Sequence, residues 1–194
     1  FLAEHPEVEV WISADMALAE LSEEGADLAM RYGCGDYPGL TSERLMAESV
    51  LPVCSPRLLE GATPLPSPED LAAHTLLHDE SPDNDPSCPD WAMWLKARGV
   101  SGFDPRRGLR FNQSALAIDA AAGGRGVALA KRTIAQADLQ SGRLVAPFAA
   151  GEAPVDFAHY LVLPRDRPVS PGARAFADWL KKEAGDHENN MGQL

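Results

Sequence analysis

"LRFNQSALAIDAAAGGRGVALAKR", residues 109–132, holds three elements in a row. "GLRF" reads as a short strand, and the polar trio Asn112, Gln113 and Ser114 then opens a run of alanines and leucines. Small polar residues ahead of an apolar-periodic run mark a helix start, and Gly123–Gly124 mark its end, so a helix is expected over 113–123. The apolar string Val127–Ala130 follows at once, which places a second strand over 126–130. A strand, a helix of about three turns and a second strand form the unit from which α/β proteins with parallel sheets are built.

The same alternation recurs outward. "EVEVWIS" (7–13) carries Val8, Val10 and Ile12 in period two and reads as a strand, and "SADMALAELSEEG" then reads as a helix that Ser13 or Asp15 can cap and Gly25 stops. "ADLAMRYG" and "RLMAESVLPVCS" read as strands, "SPEDLAAH" as a brief helix capped by Ser67, and "TLLH" as a strand. "WAMWLKARG" is a helix with Trp91, Trp94 and Leu95 on one face. After residue 130 come a helix over "RTIAQADLQSG", strands at "RLVAPF" and "VDFAHYLVLP", and a terminal helix capped by Ser170 with Pro171 at its first position. The tail "DHENNMGQL" is expected to be disordered. The pattern implies α/β architecture with mostly parallel sheets. A proline-rich connector near 55–68 and a Gly/Pro-rich one near 149–154 bracket a middle segment, which suggests two lobes crossed twice by the chain.

Composition limits function. The chain has 194 residues and a formal charge of −12, from 29 acids against 17 bases, and no concentrated basic stripe. Binding to phosphate backbone or an anionic membrane is therefore not expected of these residues. No apolar run approaches the roughly 20 residues that span a bilayer. The acidic opening "FLAEHPEVEVW" does not read as a leader, and the absent Met suggests an excised fragment. Cys34, Cys54 and Cys88, odd in number and irregular in spacing, fit a reducing, cytoplasmic compartment.

No catalytic or metal-binding constellation emerges. Ser114 lacks the glycines of a nucleophile elbow. His74 and His78 straddle a helix end and a strand, with no cysteine or carboxylate at ligand spacing. No enzyme activity, cofactor or metal is expected.

In order and spacing, "EEGADLAMRYGCGDYPGL" (23–40), "LPVCSPRLL" (51–59), "LLHDE" (76–80), "WAMWLKARG" (91–99), the stretch 109–130 and "SGRLVAPF" (141–148) resemble the effector-binding domain of LysR-type transcriptional regulators. Within these, they are most similar to the subgroup typified by the glycine-cleavage activator. The resemblance implies two Rossmann-like lobes in the type 2 periplasmic-binding-protein arrangement, with a central cleft. Lobe I would comprise 1–55 and 156–185, lobe II 69–150, the crossovers 56–68 and 151–155, and the tail 186–194. It also implies a small, anionic effector in the cleft, and a homodimer or homotetramer paired through helices 16–24 and 131–139. DNA would be reached only through an N-terminal domain that these residues lack, together with the first strand of lobe I. A solute-binding protein of a transport system shares the fold and stands as the alternative.

The residues expected at the effector are Asp15, Arg31, Tyr32, His78, Asn112, Gln113 and Ser114. A helix N-terminus carries unpaired N–H groups and partial positive charge, so the start at 112–114 could receive a carboxylate. Equally, Asn112 or Ser114 could simply cap the helix. Arg31, at a strand end, offers a fork of donors to a carboxylate, or an ion pair to an acid such as Asp79 or Glu80. Asp15 doubles as a helix cap, Tyr32 as core edge, and His78 is a strand-end residue before Asp79.

Overall fold

The computed structural model describes residues 1–14, 25–81, 88–148 and 150–191. Its elements run in the order β1 (Ala29–Gly33), β2 (Leu40–Val53), α1 (Pro56–Leu59), a 3-10 turn (Pro68–Ala73), β3 (Leu76–Asp79), α2 (Trp91–Ala97), β4 (Leu109–Phe111), α3 (Ser114–Ala122), β5 (Val127–Lys131), α4 (Arg132–Gln140), β6 (Ala153–Pro164) and α5 (Pro171–Met191). The chain divides into unit 1, Phe1–Ala47 with Phe157–Leu194, and unit 2, Glu48–Asp156. The passages fall inside β2 and β6, and the proline-rich segment expected as a connector belongs to unit 2.

Unit 2 is built on the opening stretch. β4, α3 and β5 form the expected strand–helix–strand, and β3 lies between the two strands, parallel to both. β2 adds to the far side of β5 in the antiparallel sense, with Val50 opposite Lys131 and Val53 opposite Ala128, so the order is β2-β5-β3-β4. Successive side chains of a strand point to opposite faces. Val50, Leu76, Val127 and Leu129 accordingly meet Trp91, Trp94 and Leu95 of α2 on one face. Leu51, Val53, Leu77, Ala128 and Ala130 meet Ile118 and Ala121 of α3 and Ala135 of α4 on the other. Every residue of β5 is buried, as a strand covered on both faces requires.

The local signals explain these elements. Asp90 caps α2 by accepting from the Met93 amide at 2.7 Å, and the indoles of Trp91 and Trp94 donate to the carbonyls of Leu77 and Gly151. The alanines of α3 let it lie close to the sheet. Its end is closed by Gly123 N–H to Asp119 O at 2.9 Å and Arg125 N–H to Ala120 O at 3.0 Å, with Gly124 left-handed at φ +73°. Ser67 and Asp70 form a capping box on the 3-10 turn.

In unit 1 the strand order is β1-β6-β2, with β1 and β6 antiparallel from Ala29 opposite Val162 to Gly33 opposite Ala158. α5 covers this part, its Ala177 and Ala184 packed with Leu45 and Leu161, and Phe1 stacks its edge on Phe176.

Several expectations need correction. The sheet is mixed, because β2 runs antiparallel to β5 and β6 antiparallel to β1. Residues 7–13 are not a strand: alternation needs a neighbouring edge to bond with, and Trp11 and Ile12 are 94% and 82% exposed. "RLVAPF" contributes only the isolated bridge of Val145 to Cys54. α5 continues to Met191, through much of the segment expected to be disordered. Residues 15–24, which hold the candidate Asp15 and the helix 16–24 expected to pair subunits, fall outside the described residues. All three cysteines are free, and burial pushes the Cys54 thiol up to about 11.

Candidate functional site

Because β3, β4 and β5 are parallel, their carboxyl ends lie on one side, where open α/β sheets gather ligands. Asp79 ends β3, Arg110 lies in β4 and Lys131 ends β5, and all three line a cavity of about 650 Å³ in unit 2. The volume is in the range that holds a small organic ligand. The loop after β3 contributes Glu80 and Ser81, and the start of α2 contributes Cys88, Asp90 and Trp91.

Charges of both signs face this space. Glu80 is paired with Arg110, and Arg106 with Asp104 at 3.0 Å. Asp79 is held at both oxygens: Oδ1 accepts the Ser81 amide at 2.9 Å, and Oδ2 accepts the Ser114 hydroxyl at 2.5 Å. Lys131 is 6% exposed, and burial holds its ammonium below the ordinary lysine range, opposed by the carboxylates of Asp79 and Glu48. Glu48 itself is buried, accepting the Ser49 amide at 2.9 Å, the Thr133 amide at 3.2 Å and the Thr133 hydroxyl. It thereby caps α4 from β2, a favourable place for a carboxylate against the helix dipole.

Of the candidates read from sequence, the structure joins His78 and Ser114 to this cavity. His78 lines it, with Nε2 at 3.1 Å from the Arg107 carbonyl, and Ser114 reaches it through Asp79. Asn112 and Gln113 are exposed and do not line it; Gln113 is the N-cap residue of α3 but makes no side-chain capping bond. Arg31 and Tyr32 belong to β1 of unit 1, where the Tyr32 ring lies 5.7 Å from Phe157 and 5.2 Å from His159. The sequence reading missed Lys131, Arg110 and Glu48. The signal for Lys131 was available: it is the first cation after an unbroken apolar strand, at the strand's carboxyl end and just ahead of Arg132.

Comparison with known proteins follows the same lines. The family description "LysR substrate binding domain" matches residues 1–185. The chain is 39% identical over 189 residues to the glycine cleavage system transcriptional activator of Escherichia coli (strain K12), covering 97% of this chain and 60% of that protein. It is 31% identical over 186 residues to the HTH-type transcriptional activator AmpR of Rhodobacter capsulatus, covering 96% and 60%. The effector domain of the transcriptional regulator AmpR of Pseudomonas aeruginosa superposes with a TM-score of 0.75 at 27% identity, covering 98% of this chain and 88% of that one. The chain thus spans about 60% of the length of the curated relatives it matches. Both relatives are named as transcriptional activators. A mixed sheet with its parallel strand ends gathered in unit 2, matched over residues 1–185, is the type 2 periplasmic-binding-protein-like fold, and the chain belongs to the LysR substrate-binding domain family.

Proposed function

We propose that the chain is the ligand-sensing part of a LysR-type transcriptional regulator and that the cavity of unit 2 receives a small, anionic effector. The observation that carries this reading is the convergence of Asp79, Arg110 and Lys131 at one end of three parallel strands. Lys131 is the cation best placed for an effector's anionic group, since a charge held in a poorly solvated site acts more strongly than one in water. Asp79, fixed by Ser81 and Ser114, and His78 supply the polar groups that orient the rest of the molecule.

The name and length of the relatives support a division of labour. DNA would be contacted by a part of the protein outside these residues, in keeping with the chain's net charge of −12. The whole protein would act in the cytoplasm as a homodimer or homotetramer. A coupling of about 1–3 kcal/mol between effector and DNA contact would suffice for control.

The test is a thermal-shift and calorimetric screen of the chain against amino acids, carboxylates and muropeptides. At least one anionic compound is expected to stabilise the chain saturably, and Lys131→Met to remove that stabilisation while the variant still folds. Failure of every compound, or an unaltered response in Lys131→Met, overturns the reading.

A further inference from the structure

Unit 1 has a cavity of its own, of about 270 Å³, where β6 ends and α5 begins. Pro164, Pro168 and Pro171 turn the chain here, and the Ser170 hydroxyl accepts the Ala173 amide at 3.2 Å to start the helix. Arg174, Ala177, Asp178 and Lys181 then follow at spacings of three and four, which puts them on one face of α5. All four line the cavity, with Arg167 from the preceding turn and Thr41 from β2. Leu163 and Val169 complete an apolar floor.

In a chain with 29 acids and 17 bases, this lining carries three cations against one acid, Asp178. Two of the cations are committed in part. Lys181 pairs with Glu43 at 2.5 Å, and Arg167 donates to the Ala26 carbonyl at 3.3 Å. Arg174 is different: among the described residues its guanidinium makes no hydrogen bond or ion pair, and it is an exposed residue of the cavity lining. A planar fork of donors above an apolar floor, with a second and third cation beside it, suits an anionic head on a compact apolar body.

We propose that this cavity of unit 1 binds a small organic anion, a carboxylate or phosphate monoester on a body of about one ring, held at its head by Arg174 and supported by Lys181 and Arg167. The volume lies just below the range of about 300–1,000 Å³ typical of drug-sized ligands, which sets that upper size. The apolar floor predicts that an organic anion binds more tightly than the bare ion.

The experiment is an NMR titration of the isotope-labelled chain with benzoate, phenyl phosphate and inorganic phosphate at fixed ionic strength. Saturable shifts are expected at Leu163, Arg174, Ala177 and Lys181 with at least one organic anion. Benzoate and phenyl phosphate distinguish a carboxylate head from a phosphate head, and inorganic phosphate is expected to bind more weakly than phenyl phosphate. Arg174→Glu, and Arg174→Gln as the milder variant, should weaken binding by about tenfold. Lys131→Met in unit 2 should leave these shifts in place. Shifts that never saturate, survive both Arg174 variants, or vanish in Lys131→Met would overturn the proposal, and so would equal affinity for phenyl phosphate and inorganic phosphate.

Discussion

The Ser114 hydroxyl donates to the Asp79 carboxylate at 2.5 Å, tying the first turn of α3 to the carboxyl end of β3. The polar start of an otherwise bland helix therefore points at a charged group on the wall of the cavity. It does not cap its own helix, since the N-cap position is Gln113 and makes no side-chain bond.

Ser114→Ala removes a hydrogen bond to a charged acceptor that is only partly buried, so a loss of about 1–2 kcal/mol is expected. Urea or thermal unfolding measures it. An unchanged midpoint would show that the bond exchanges evenly with water and contributes nothing to the fold.

The position of Lys131 predicts a pH dependence. Burial holds its folded pKa below the ordinary value of 10.5, with Asp79 and Glu48 opposing the shift. Between the lowered value and 10.5, the unfolded chain binds more protons at this site than the folded one, so stability rises with pH across that window. Below the window both states are protonated, and the desolvation of the ammonium weighs fully against the folded state. Lys131→Met abolishes this titration. The stability difference between the two proteins should therefore move in favour of the wild type as pH rises through that window toward 10.5. Parallel pH profiles would remove Lys131 as the titrating group.

The parts legible in the sequence were those fixed locally. Helix ends at Asp90, Ser67 and Gly124 follow from side-chain capping and left-handed backbone, which depend on a few neighbouring residues. Strand direction was not legible. "RLMAESVLPVCS" has the same alternation whether its partner runs with it or against it, and its antiparallel pairing with β5 is a long-range contact that no local signal records. Period two at 7–13 likewise could not reveal whether an edge was there to pair with. For the site, the rule that ligands collect beyond parallel strand ends selects Arg31 and His78 in the sequence. Applied evenly, it points to Asp79 and Lys131, but a lysine after "VALA" also reads as an ordinary strand end leading into a helix. That Glu48 lies near it, 83 residues earlier in the chain, is a property of β2 pairing with β5 and has no local signal.

Gly108 tests whether the approach of β4 to β3 organises the cavity. It immediately precedes β4 at φ +137°, and a Cβ there would overlap the carbonyl oxygen of Leu76 at the start of β3. Alanine at this position meets both a disfavoured backbone conformation and a clash with backbone that cannot swing away, so Gly108→Ala should cost about 3 kcal/mol or more. Gly142 supplies the control: it is also left-handed, at φ +73°, but a Cβ there meets nothing within 4 Å. Gly142→Ala carries the backbone penalty alone, about 1 kcal/mol. Arg110 rides on the strand that Gly108 admits, so a folded Gly108→Ala should also lose effector stabilisation, while Gly142→Ala keeps it. Denaturation of the two variants side by side measures the order, and equal losses would show that the contact with Leu76 imposes no constraint on how β4 is seated.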